Sequence, residues 1–133
     1  MIPEFNDHGF LPPGIHPAGL DEIEARFGRQ SELRRVQMQS LGWLVDIAQR
    51  AGIARIIING SFVTDVLEPN DADWVLLIGP DYPREAAAEA ELSAGLPLLE
   101  VQIVEEEGFE YLVGRFFATD RDSNPKGMIE VML

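Results

Sequence analysis

Two short runs of branched apolar residues, 55–59 (RIIIN) and 74–78 (WVLLI), most restrict what this chain can become. Each is too short for a buried helix and too uniformly apolar for a strand with one face in water, so both read as buried strands. Other segments alternate with them at helical period. Leu20, Ile23 and Phe27 recur before Gly28 as a short helix. From Glu32 to about Ala51, with Ser31 as cap and Gly52 as stop, Leu33, Val36, Leu41, Leu44, Ile47, Ala48 and Ala51 fall mostly on one stripe. "YPREAAAEAELSAG" reads as a third helix, and Phe109, Leu112, Val113, Phe116 and Phe117 mark a fourth from Glu107 to about Ala118. "LPLLEVQIV" is a third strand, with Leu99, Val101 and Ile103 on one face and Glu100 and Gln102 on the other. "MIEVML" is a fourth. The expected fold is α/β (α+β), a small mixed sheet of about four strands flanked by helices. It forms one domain over residues 1–133, with 1–18 an extended arm holding four prolines.

Composition narrows the function classes. No apolar run approaches the roughly 20 residues a membrane helix needs. The first residues lack a basic start and an apolar centre, and there is no cysteine, so a cytoplasmic protein without disulfide or thiolate chemistry is expected. A formal net charge of −13 repels phosphate backbones and argues against broad nucleic-acid binding. The same charge is compatible with a metal-dependent site, with solubility alone, or with a basic protein partner, and does not choose among them.

The chemistry concentrates between the first two strands, in "NGSFVTDVLEPNDADW". A strand ending at Gly60-Ser61 turns where glycine permits close approach and backbone N–H groups can meet an anion such as phosphate. Asp71 and Asp73 open the next strand. The two-residue period puts both carboxylates on one face, with Ala72 and Trp74 on the other. Two such acids repel each other unless a cation lies between them, and hard oxygen ligands beside a phosphate cradle suit Mg²⁺. Glu100, on the polar face of the third strand, is the best-placed third acid.

Gly60-Ser61, nine intervening residues and then Asp71-Ala72-Asp73 resemble the signature of the DNA polymerase beta-like nucleotidyltransferase superfamily. The likeness is closest to its small bacterial members, the minimal nucleotidyltransferases, many of which act as antitoxins beside a helical ribonuclease toxin. The whole chain also resembles a family of short uncharacterised bacterial proteins carrying this motif. The resemblance implies that Gly60 and Ser61 hold the β and γ phosphates of a nucleoside triphosphate. It implies two Mg²⁺ ions on Asp71 and Asp73, and the third superfamily acid, usually Asp, at Glu100. The implied reaction is attack of a hydroxyl on the α-phosphorus with loss of pyrophosphate. A protein, an RNA end or a small molecule could supply the hydroxyl.

Several residues carry two readings. Thr64 reads as a ligand contact or as the cap of a helical turn. Arg121 and Lys126, in a loop unusually basic for this chain, read as solubilising charges or as contacts to the triphosphate. The acids at 105–107 suit the first turn of a helix, and His8 and His16 lack metal-ligand spacing. Trp43 and Trp74 are expected to pack. Two functions therefore compete: an Mg²⁺-dependent nucleotidyltransferase, and a catalytically weak module of the same fold that binds a basic or toxin partner through its acidic surface.

Overall fold

The computed structural model describes residues 2–70, 72–95, 99–116, 119 and 125–133, the side chain of Phe116 excepted. Its strands are β1 (Gly14–Ala18), β2 (Ile53–Asn59), β3 (Asp73–Ile78), β4 (Glu100–Val104) and β5 (Gly127–Val131). Its helices are α1 (Leu20–Phe27), α2 (Glu32–Ala51), α3 (Ala86–Ala94) and α4 (Glu106–Tyr111), the last continuing into a π turn at Leu112–Phe116. The sheet runs β1-β5-β2-β3-β4. The outer pairs β1·β5 and β3·β4 are parallel, and the central pairs β5·β2 and β2·β3 antiparallel.

Glycines close the first three helices, Gly28 after α1, Gly52 after α2 and Gly95 after α3, whereas the α-helical part of the fourth, expected over Glu107 to about Ala118, ends at Tyr111 where the π turn begins. Ser31 accepts the backbone N–H of Arg34 at 3.2 Å, and Gly52 takes the left-handed conformation at φ 94° that closes α2. The inward stripe of α2 runs through Leu41, Leu44, Ala48 and Ala51 onto one face of the sheet, where Ile56, Ile58, Trp74, Leu76 and Ile129 meet it. On the opposite face Ile57, Val75, Leu77 and Met128 lie under Phe109 and Val113 of the C-terminal helix. Leu99, Val101 and Ile103 pack toward α2, as their alternation requires. Among the described residues no helix is long and apolar enough to cross a membrane.

Two expectations are corrected. The sheet has five strands rather than four, because residues 14–18 of the arm pair with β5, Ile15 opposite Met128 and His16 opposite Ile129. Pro17 has no N–H to give a ladder, which the edge position tolerates and which hides a strand from sequence reading. On α2, Val36 and Trp43 face solvent, Trp43 with 57% of its surface exposed. Arg34 and Gln37 take the inward positions of the first turns, rotating the stripe away from both. Trp74, by contrast, is fully buried.

Ile58 is buried at the centre of the sheet, whereas Ile15 on the edge strand is exposed. Ile58→Ala is expected to cost about 2–5 kcal/mol, and Ile15→Ala no more than about 0.5 kcal/mol. Urea unfolding followed by circular dichroism measures both.

Candidate functional site

Strand β2 ends because Gly60 adopts φ 89°, ψ −172°, a region open in practice only to glycine. The chain then winds into a single 3₁₀ turn at Ser61–Val63, where Val63 N–H donates to Gly60 O at 3.2 Å and Thr64 N–H to Ser61 O at 3.1 Å. The Thr64 hydroxyl donates to the same Ser61 carbonyl at 2.7 Å and accepts the N–H of Val66. Thr64 is buried, and its side chain closes the turn.

Beneath this loop lies Arg34, only 2% exposed. Its guanidinium donates to the carbonyls of Phe27 at 3.1 Å, Phe62 at 2.7 Å and Thr64 at 2.8 Å, with a longer bond to Ser61. Both Nε and Nη2 also reach Val66 O. The group sits 5.5 Å over the Phe62 ring. Burial pulls its pKa below the usual arginine value and Asp65 pulls it back up, yet a guanidinium starts high enough to stay charged. No sequence signal marks Arg34, because its fork is aimed at backbone carbonyls far along the chain.

The register across the sheet aligns the polar residues at this rim. Asn59 stands opposite Asp73, and Asp73 opposite Glu100, so the three occupy one row across β2, β3 and β4. Directly paired residues share a face, here the face away from α2. Ala72 and Trp74 point the other way into the core, as expected. Strands β2 and β5 are antiparallel, with Ile58 opposite Ile129, so the start of β5 and Lys126 before it lie at the same end of the sheet as Gly60. Gly60, Ser61, Asp73, Glu100 and Lys126 thus lie at the same end of the sheet. Asp71 and Arg121 lie outside the described residues, and among those described no group of three His, Cys, Asp or Glu could hold a metal ion. His16 bonds Pro12 O at 2.7 Å, and Glu106 and Glu107 occupy the first turn of α4.

Clefts divide these residues. Glu100 lines one of about 490 Å³ with Leu33, Gln37 and Leu99, while Thr64 lines another of about 300 Å³ with Arg34 and Asp65. Sequence reading passed over Asn59 and Gln37, each 1% exposed. Neither polar atom of the Asn59 amide has a hydrogen-bond partner, and the Gln37 carbonyl has none either. An asparagine at the end of a strand of isoleucines was the available signal for the first. Gln37 gave none.

Arg34→Lys keeps the charge but loses the planar fork, leaving several buried carbonyls without donors. It is expected to destabilise the fold by about 2 kcal/mol or more and to speed hydrogen exchange of the Thr64 amide. Gly60→Ala, forced into the same dihedrals, is expected to cost about 1–3 kcal/mol in a thermal melt.

No curated protein and no solved structure matches the chain. A protein-family match spans nearly its whole length, residues 3–132, and by it the chain belongs to the family described as "Family of unknown function (DUF6932)".

Proposed function

We propose that this protein is an Mg²⁺-dependent nucleotidyltransferase that moves a nucleoside monophosphate from a nucleoside triphosphate to a hydroxyl acceptor. The observation that carries this reading is the row Asn59, Asp73, Glu100, two carboxylates side by side on adjacent strands next to the glycine-only turn at Gly60-Ser61. Adjacent acids of this kind suit a divalent cation, and the buried unpartnered amide of Asn59 beside them is a polar group waiting for a ligand. Asp73 and Glu100, with Asp71 preceding them in sequence, would hold the ion. When bound, Mg²⁺ would neutralise phosphate charge and polarise the α-phosphoryl oxygens.

The chain's own groups account for the remaining steps. Backbone N–H groups after Gly60 cradle the β and γ phosphates, and Lys126 at the same rim adds the positive charge an acidic protein otherwise lacks. Glu100 takes the proton of the acceptor hydroxyl as its oxygen bonds to the α-phosphorus. The bond from that phosphorus to the bridging oxygen breaks, and pyrophosphate leaves. Glu100 is exposed and Asp73 half-buried, so the rim is open to an acceptor as large as a protein or RNA end.

Incubation with each nucleoside triphosphate labelled at the α-phosphate, Mg²⁺ and cell extract is expected to label an acceptor. Asp73→Asn is expected to abolish transfer, and Glu100→Gln to slow it by about 10²–10⁴-fold, if Glu100 acts as base. Labelling that persists in Asp73→Asn at wild-type rate rejects the assignment.

A second reading, a partner-binding module such as an antitoxin, is favoured by the outer face of α2. There Val36 and Trp43 stand exposed seven residues apart on a chain of net charge −13, with Asp46 and Glu91 beside the tryptophan. It expects no label transfer and capture of a basic protein that Trp43→Ser releases.

A further inference from the structure

We infer that the cleft between α2 and the start of β4 is a nucleobase subsite, read by the carbonyl oxygen of Gln37. The inference rests on the nucleotide reading of the adjoining rim. At about 490 Å³ the cleft is within the range of small-molecule sites. Leu33 and Leu99 supply apolar walls suited to the faces of a flat ring, Pro69 adds a third, and Ala72, the residue between the two aspartates, lies in its lining.

The polar feature inside is specific in sense. Gln37 is buried on α2, and its Nε2 donates to the carbonyl of Pro69 at 3.2 Å. A carbonyl partner accepts only, so that bond fixes which end of the amide is nitrogen. The other end is therefore an acceptor, and it has no donor. A ligand that completes it must bring an N–H, as the edge of a purine or pyrimidine base does. A buried acceptor left open is disfavoured until such a donor arrives.

Position joins the cleft to the phosphate turn. Glu100 lines the cleft and is also the register partner of Asp73, whose other neighbour is Asn59, the residue before Gly60. The cleft opens on the α2 side while the carboxylates of Asp73 and Glu100 face the other way, so a bound nucleotide crosses the rim from the cleft toward the turn, over strands β4 and β2 that lie about two strand spacings, roughly 10 Å, apart. A ribose and its α-phosphate bridge that gap, leaving the outer phosphates at Gly60-Ser61 and the base against Gln37.

The test compares ligands with and without a base by calorimetric titration of the full chain. Magnesium complexes of ATP, GTP, CTP and UTP are measured beside magnesium tripolyphosphate. At least one nucleotide is expected to bind about tenfold or more tighter than tripolyphosphate. Gln37→Met, which removes the acceptor at similar volume, is expected to erase that advantage while leaving tripolyphosphate affinity unchanged. Leu33→Trp, which fills the cleft from its half-exposed edge, is expected to do the same should the first variant fold poorly. If tripolyphosphate binds and no nucleotide binds better, or if both variants weaken the two ligand classes equally, the base site is wrong and the phosphate site stands. If neither class binds, the nucleotide reading of the rim fails and the base site fails with it.

Discussion

The buried guanidinium of Arg34 is the interaction on which the rim depends. A loop that leaves a strand through a glycine-only conformation exposes carbonyls that no ladder or helix can satisfy. Residues 61–66 direct four carbonyls inward, those of Phe62, Thr64 and Val66 and that of Ser61, which also accepts within the 3₁₀ turn, and one arginine from α2 reaches all of them as well as the end of α1. A planar fork with five N–H donors can do this where a lysine cannot. Because the guanidinium also lies against Phe62, which packs between Phe27 and Trp74, the polar clamp and the aromatic core fix one another.

That clamp explains how so short a chain can present acids at a defined place. Loop residues at the edge of a sheet are ordinarily the least constrained part of a fold. Here Gly60 is held from below by Arg34, Asp73 by its ladder to β2, and Glu100 by its N–H bond to Ala72 O at 3.0 Å. Each polar group at the rim is positioned by a different element. Their alignment follows from register, which burial of Ile56, Ile58, Trp74 and Leu76 on the α2 face fixes against slippage.

Local pattern disclosed the helices, the central strands and the facing of Asp73 and Glu100, because each is set by periodicity over a few residues. What it could not disclose depends on contacts between distant segments. Strand β1 exists because the outer edge of β5 needs a partner, a demand invisible in "GIHPA" itself. The inward turn of α2 is set by what Arg34 and Gln37 find across the loop, so Val36 could not be separated from the core stripe by spacing alone. The assignment of Thr64 likewise turns on its bond to the Ser61 carbonyl three residues back, which favours the capping half of its two readings.

Among the described residues, the buried side-chain polar atoms without partners belong to Gln37, Asn59 and Trp74. Asn59 is paired with Asp73, Trp74 follows Asp73, and Gln37 holds the loop that leads into it. An orphaned polar group in a core costs about 1–3 kcal/mol; Gln37 and Trp74 lie on the α2 side of the sheet and Asn59 on the other. Buried Arg34, by contrast, meets the carbonyls of a whole loop, and half-exposed Arg55 pairs bidentately with Glu130 at 2.7 and 2.9 Å. A ligand that donated to the Gln37 carbonyl, or met the Asn59 amide, would remove that part of the cost and so stabilise the fold by mass action.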